Sequence, residues 1–141
     1  MRVLRRTPVL LCLLALLVAS AARAADSKEA AASPQAKAYL AMWKAVETGD
    51  YEAYKKAHTR ETARQMDQQT KEMKMDARKT MEFMKEMAPK DIKFTSLKVD
   101  GKKATLDATG KVGGEANKGT ISMEEEDGQW KVAKESWTNA K

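Results

Sequence analysis

The stretch EDGQWKVAKESW, residues 126–137, decides the fold of this chain. Asp127-Gly128 is a two-residue hairpin signal, because both residue types accept the positive φ angles of a tight β-turn. Trp130 and Val132 follow at the two-residue spacing of a strand that buries one face. Such a sheet needs other elements to cover the buried face, and the chain upstream supplies amphipathic helices. The stretch therefore predicts helices packed on one face of an antiparallel sheet.

Three helices are predicted before the sheet. The first and third carry apolar residues at helical spacing, and the second is short. The third is predicted as one continuous helix over residues 60–87, because that run contains neither Gly nor Pro and keeps its apolar phase throughout. The helix boundaries are marked by residues that commonly cap or stop helices: Ser33, Pro34, Gly49, Asp50, Thr59 and Pro89.

After Pro89 the apolar spacing changes to the two-residue period of strands. Ile92 and Phe94 share one parity whereas Leu97 and Val99 share the other, which predicts a β-bulge near residues 95–96. Asp-Gly pairs at residues 100–101 and 127–128 predict tight hairpins, and the Gly pair at 113–114 predicts a looser connection. The predicted class is α+β, with three N-terminal helices, the second short and the third long, packed on a curved four-stranded antiparallel meander.

Residues 1–24 have the organisation of a secretory signal peptide, with arginines at the start, an apolar run, and Ala22-Arg23-Ala24 before a polar segment. A membrane-spanning helix needs about 20 apolar residues, and this apolar run is shorter. No stable membrane anchor is therefore expected after processing. The protein is therefore expected in the periplasm or outside the cell. General secretion is favoured, and the Arg5-Arg6 pair leaves twin-arginine export open.

Removal of residues 1–24 changes the composition that bears on function. It takes away four of the 26 Lys and Arg residues and none of the 20 Asp and Glu residues, so the formal net charge falls from +6 to +2. A nucleic-acid partner is not expected, because such partners call for a clustered basic face. The only cysteine, Cys12, is also removed. Residues 25–33 are expected to form a flexible tether and residues 34–138 a single domain.

The order of these elements resembles the nuclear transport factor 2-like superfamily, the cone-shaped fold also described as cystatin-like. The resemblance covers residues 34–138, with Gly49-Asp50-Tyr51 between two helices and DGQWKV followed by Trp137 at the end. Within the superfamily, the chain most resembles small exported members without an assigned function. It implies a bent sheet around the helices and a pocket that holds a small apolar ligand or a partner. Some relatives are isomerases, dehydratases or cyclases, but no residue here matches their Asp–His or paired-carboxylate sites.

The candidate pocket residues are apolar side chains expected to meet between the helices and the sheet. Trp43, Tyr54 and Trp130 suit either a core or an adaptable ligand wall. Catalysis would need an ionisable pair facing the pocket. His58, the only histidine, is expected to cap a helix or lie on the surface at the junction of the second and third helices. The ligand-pocket candidates are Tyr39, Trp43, Tyr54, Phe94, Leu106 and Trp130.

Six of the nine methionines lie in residues 66–87. All but Met75 fall on the apolar side of the predicted helix, so they are interpreted as a core stripe. Thioethers also bind Cu(I) and Ag(I), which gives a metal-binding alternative in an exported protein. Met81 and Met84 are adjacent on one helix face. A complete site would also need a sulfur from Met42 or Met123 across the core, or from a second molecule.

These observations predict an exported, non-catalytic domain that binds a small apolar ligand or a protein partner in or beside its cone, without a cofactor. Two alternatives are kept. One is methionine-based binding of Cu(I) or Ag(I), and the other is a small pocket enzyme of the isomerase or dehydratase type. Self-association to a homodimer is also considered.

Overall fold

The computed structural model describes residues 23–141, and this part of the chain forms five helices and a five-stranded antiparallel sheet. The predicted α+β class is therefore confirmed. None of the helices in the described range is both long and apolar enough to cross a membrane. The elements are β1 (Arg23–Ala25), α1 (Ser27–Ala32), α2 (Pro34–Thr48), α3 (Tyr51–Lys56), α4 (Arg60–Glu72), α5 (Ala77–Met87), β2 (Lys90–Asp100), β3 (Lys103–Val112), β4 (Glu115–Glu126) and β5 (Gln129–Asn139).

The sheet is a meander with the strand order β1-β2-β3-β4-β5. The four predicted strands are β2 to β5. The prediction missed β1, a three-residue edge strand in which Arg23 pairs with Val99, because so short a strand shows no alternation of apolar residues. The predicted signal peptide lies outside the described residues except for Arg23 and Ala24, the first two residues of β1.

The turns of the meander follow from residues that accept positive φ angles. Asp127 and Gly128 have φ angles of 52° and 75°, and Glu126 pairs with Gln129 across them, as expected of a type I′ hairpin. The Gly pair at 113–114 also forms a tight two-residue turn, so the looser connection expected there is wrong. The predicted bulge is confirmed by the shift in β2–β3 register between Phe94 and Ser96.

The core lies between α2 and one face of the sheet. Ser33 Oγ accepts a hydrogen bond from the backbone N–H of Ala36 at 3.1 Å, and Gly49 ends α2 with a φ angle of 76°. This placement turns the apolar side of α2 toward β3, β4 and β5. The largest fully buried side chains come from both layers: Tyr39, Met42 and Val46 from α2, and Leu106, Ile121, Met123 and Val132 from the sheet.

The expectation of a flexible tether over residues 25–33 is wrong. Most of this segment forms α1, which begins where Asp26 Oδ1 accepts hydrogen bonds from the backbone N–H groups of Lys28 and Glu29, both at 3.0 Å. Ala30 is fully buried in the core. The segment shows no periodic pattern of large apolar residues, because alanine makes its contact with the core. Alanine is small and has the highest helix propensity.

The prediction of one long helix over residues 60–87 is also wrong, because the chain turns between α4 and α5. Lys74 adopts a φ angle of 52°. The N–H of Met75 donates to the carbonyl of Thr70 at 3.0 Å, and the N–H of Lys74 donates to that of Lys71 at 3.1 Å. This is the hydrogen-bond pattern of a Schellman motif, formed here without glycine. Asp76 then caps α5.

The break between α4 and α5 changes the burial of the methionines. Met81 is buried and Met66 and Met84 pack partly against the core. Met73 and Met87 are 62% and 49% exposed, so the core-stripe interpretation is wrong for these two residues. The turn separates Met66 and Met73 from the methionines of α5. Within α5, Met87 lies about 120° from Met81 around the helix axis.

Candidate functional site

Three of the predicted pocket residues, Tyr39, Trp43 and Phe94, lie together with Tyr39 at the centre. Its ring lies edge-on to the ring of Trp43, with centroids 6.4 Å apart, and to the ring of Phe94, with centroids 6.2 Å apart. These distances and tilts are those of favourable aromatic pairs. Tyr39 is fully buried, and Trp43 and Phe94 are each 7% exposed. The three rings therefore fill the space between α2 and the sheet.

The hydroxyl of Tyr39 is part of a polar cluster that the sequence analysis missed. It donates a hydrogen bond to Glu135 Oε2 at 2.6 Å. The indole N–H of Trp137 points at the same two groups, 3.2 Å from the Tyr39 oxygen and 3.4 Å from Glu135 Oε2. The cluster thus places one half-buried carboxylate, a phenol and an indole N–H on the inner face of the sheet.

A bulge in β5 brings Glu135 and Trp137 to this face. Ser122 pairs with Lys134 whereas the next residue, Met123, pairs with Val132, so Ala133 is the extra residue. Beyond such a bulge the alternation of faces is reversed. The signal was present in the sequence, because Trp137 has the opposite parity to Trp130 and Val132.

The electrostatics of the cluster are dominated by burial. Burial raises the pKa of Glu135, and the hydrogen bonds from Tyr39 and Trp137 oppose that shift. Burial and the neighbouring Glu135 carboxylate also raise the pKa of Tyr39 and of Tyr54. A carboxyl group and a phenol at 2.6 Å are able to share a proton, yet Tyr39 has no exposed surface through which a substrate would reach it.

The ring of Trp137 lies across two glycines of the inner sheet face. An ideal Cβ placed on Gly119 would come within 2.8 Å of that ring, and one placed on Gly110 within 3.2 Å. The absence of side chains at these positions is what allows the indole to lie flat against β3 and β4. Next to Gly110 is an open groove of about 590 Å³, whose wall includes Ile92, Asn117 and Ala140.

Trp130 lies apart from the Tyr39 cluster, in a second groove of about 550 Å³. It was expected to be buried, but it is only half-buried and its ring forms part of the groove wall. We call this surface the Trp130 groove. It runs between α2, α3 and the β4–β5 turn, and it is lined by Pro34, Ala38, Ala41, Met42, Ala53, Lys56, Ala57, Gly128, Gln129, Trp130 and Lys131.

The remaining pocket candidates lie in the interior. Leu106 is fully buried in β3, and Tyr54 is 4% exposed. The Tyr54 ring packs edge-on against the imidazole of His58, with centroids 4.8 Å apart. The six candidates therefore do not converge on one pocket.

His58 is buried rather than on the surface. Its Nδ1 donates to the carbonyl of Tyr54 at 2.9 Å, at the C-terminal end of α3, so the capping role is confirmed and the surface role is wrong. The adjacent backbone pairs with β5, where the N–H of Thr59 donates to the carbonyl of Val132 at 3.0 Å. Burial lowers the pKa of His58, which favours the neutral ring.

Residues 23–141 contain no group of three or more His, Cys, Asp or Glu side chains placed to hold a metal ion. The alternative of Cu(I) or Ag(I) binding uses methionine thioethers instead of these side chains. Met81, Met42 and Met123 are buried and Met84 is half-buried, and all four belong to the same packed cluster. Binding of Cu(I) or Ag(I) by these thioethers stays a prediction.

Comparisons of the chain with protein-family models, with curated proteins and with solved structures found no match. The resemblance to the nuclear transport factor 2-like superfamily therefore stays a prediction.

Proposed function

We propose that this protein is an exported, non-catalytic binding module that holds a small apolar molecule bearing one anionic group in the Trp130 groove. The observation that carries the proposal is the composition of the groove wall. It combines one large aromatic ring with a series of small apolar side chains, and its only charged lining groups in the described chain are two lysines.

The size and lining of the Trp130 groove suit a small ligand. Its volume of about 550 Å³ lies within the range of pockets that hold small molecules. Ala38, Ala41, Ala53 and Ala57 leave room above the helix backbones, and Trp130 supplies a flat apolar wall. A ring of this kind contributes a large contact area with little loss of side-chain freedom on binding.

The two lysines give the ligand its expected charge. Lys56 ends α3 and Lys131 follows Trp130 in β5, and both residues line the groove. Lys131 Nζ donates a hydrogen bond to the carbonyl of Lys56, which holds its side chain beside α3. A carboxylate or sulfate at one end of an apolar molecule complements this arrangement.

The buried cluster supports binding over catalysis. Tyr39 and Glu135 are the ionisable pair closest to a catalytic arrangement in the described chain, but neither lines the Trp130 groove or the groove beside Gly110. An acid or base must reach the reacting atom of a bound substrate. The wall of the Trp130 groove offers apolar contact and lysine ammonium groups instead.

The test uses the three indole N–H signals of the ¹⁵N-labelled protein, because each tryptophan reports on a different place. Trp130 lies in the Trp130 groove, Trp137 lies against Gly110 beside the groove of about 590 Å³, and Trp43 lies in the aromatic core. Titration with sodium decanoate is expected to shift the Trp130 signal most. 1-Decanol, which has the same chain without the charge, is expected to bind more weakly.

A groove-filling variant provides the control. Ala41 is exposed in α2 and lines the groove, so Ala41→Glu, which fills the groove and repels the carboxylate, is expected to block decanoate while leaving the fold intact. Ala31→Glu makes the same change at an exposed position of α1 outside the groove and should bind as the wild type does. Shifts confined to Trp137, equal binding by both variants, or no shift with decanoate would each overturn the proposal.

A further inference from the structure

The outer side of α5 is an apolar surface without a partner within the described chain. Phe83 and Met87 are 55% and 49% exposed, and they are four residues apart, so they are neighbours on one helix face. Met81 and Met84 occupy the side that packs on the core. The apolar stripe of α5 is therefore wider than the surface that the rest of the molecule covers.

Exposed apolar residues are common on monomeric proteins, so Phe83 and Met87 alone identify no partner. The charged residues beside Phe83 and Met87 indicate which partner fits this surface. Lys79 and Glu86 are exposed and have no ion-pair partner within residues 23–141, whereas Arg78 and Glu82 on the same helix pair at 3.0 Å. At about 100° per residue, Lys79 and Glu86 lie on the same flank of Phe83, about two helical turns apart.

The positions of these residues are self-complementary about Phe83. Lys79 is four residues before Phe83 and Glu86 is three residues after it, both on one flank. Thr80 is three residues before and Met87 is four residues after, both on the other flank. We propose that α5 pairs with α5 of a second copy in an antiparallel, two-fold symmetric contact centred on Phe83.

In this arrangement like flanks face each other, so each residue meets the one at the mirrored offset. Phe83 packs against Phe83 of the second copy, and Met87 packs against its Thr80. Lys79 faces Glu86 of the second copy, and this ion pair forms twice. A parallel two-fold pairing would bring unlike flanks together, so Lys79 would face Thr80, Glu86 would face Met87, and no ion pair would form. The charges therefore favour the antiparallel orientation.

The contact is expected to be weak and reversible. An eleven-residue helix is about 16 Å long, so its exposed side buries far less area than a stable dimer interface. Phe83 at the centre supplies most of the affinity, and the exposed ion pairs chiefly set orientation. The dimer does not depend on the proposed ligand, because no α5 residue lines the Trp130 groove.

Sedimentation-velocity ultracentrifugation of the processed protein over a series of concentrations at low ionic strength tests this proposal. The wild type is expected to show a reversible monomer–dimer equilibrium. Phe83→Ala is expected to weaken it by at least about tenfold. Lys79→Glu and Glu86→Lys are each expected to weaken it by about two- to fivefold, because each puts like charges face to face.

The double variant Lys79→Glu, Glu86→Lys is the decisive sample, because exchanging the two charges restores both ion pairs. It is expected to dimerise as the wild type does. Lys85→Glu changes the charge by the same amount on the side of α5 away from Phe83 and should have no effect. A wild type that stays monomeric, a dimer that survives Phe83→Ala, or a double variant weaker than both single ones would overturn the proposal.

Discussion

The sheet with α2 and the α4–α5 segment, residues 60–87, differ in how far their methionines are buried. Met42 and Met123 are buried between α2 and the sheet, whereas Met73 and Met87 of the α4–α5 segment are 62% and 49% exposed and only Met81 is buried there. Both regions show apolar residues at regular spacing in the sequence. An apolar stripe allows a helix to be buried, but the area of the surface facing the helix decides how much of that stripe is buried.

Helix α4 is attached to the rest of the domain mainly by polar contacts, whereas Met81 of α5 is buried in the core. The Thr62 hydroxyl donates to the carbonyl of Ala133 at 2.8 Å, and Lys55 pairs with Asp67 at 3.3 Å. Helix α4 has no buried residue. Exposed ion pairs contribute little to stability, so α4 is expected to be less stable than the sheet with α2.

The largest difference between the regions is expected from one substitution made in two places. Met123→Ala removes a fully buried side chain from β4 and is expected to lower the free energy of unfolding by about 2–5 kcal/mol. Met73→Ala, directly after α4 at a position that is 62% exposed, should cost less than about 1 kcal/mol. Urea denaturation of both variants measures this, and equal losses would contradict the assignment of the inner face.

A smaller effect is expected where the inner sheet face meets Trp137. Gly119→Ala places a methyl group 2.8 Å from the Trp137 ring and is expected to cost about 1–3 kcal/mol. The same change in a Trp137→Leu background should cost less, because the smaller side chain leaves room for the methyl group. Thermal unfolding of the double-mutant cycle gives the coupling between the two sites. Additive losses would show that the ring does not lie across Gly119.

The break between α4 and α5 is tested by the sign of the change in unfolding free energy when Lys74 is replaced. Lys74 has a φ angle of 52°, so Lys74→Gly is expected to raise the free energy of unfolding by up to about 1 kcal/mol. In a continuous helix the same change would lower it by about 1 kcal/mol. Lys71→Gly, within α4, is the control that should destabilise. Chemical denaturation distinguishes the two outcomes.

The subtlest effect concerns the pH dependence of the buried cluster. Burial raises the pKa of Glu135 above its ordinary value of 4.5, so its stabilising contribution is fully present below that pH and is lost as the pH rises through the raised pKa. Glu135→Gln, which keeps an acceptor for Tyr39, is therefore expected to be more stable than the wild type at neutral pH. The advantage should disappear toward pH 4.5.

Unfolding free energies of both proteins between pH 4.5 and about 8 measure this difference. His58 acts with the opposite sign, because its lowered pKa reduces stability as the pH falls below 6.5. The comparison of wild type with Glu135→Gln removes that contribution, since both proteins contain His58. A difference that is independent of pH would mean that Glu135 is not desolvated in the folded protein.

Several local features could be predicted because a few neighbouring residues encode them. The start of α2 at Ser33-Pro34, its end at Gly49 and the Asp127-Gly128 turn each depend on side-chain capping or on positive φ angles. The bulge in β2 was visible as a change of parity between Phe94 and Leu97. The break at Lys74 was missed because its hydrogen bonds form without the glycine that usually marks such an end.

The candidate site was less predictable, because burial depends on contacts between residues far apart in sequence. The sequence by itself determined that Tyr39, Trp43 and Phe94 are aromatic residues on the apolar faces of their elements. Only the tertiary structure decided that Glu135 meets Tyr39, because an extra residue in β5 turns the carboxylate inward and α2 holds the phenol opposite it. Likewise, Trp130 and Met87 have the same apolar character as buried residues, and they stay exposed in part because no surface within residues 23–141 covers them completely.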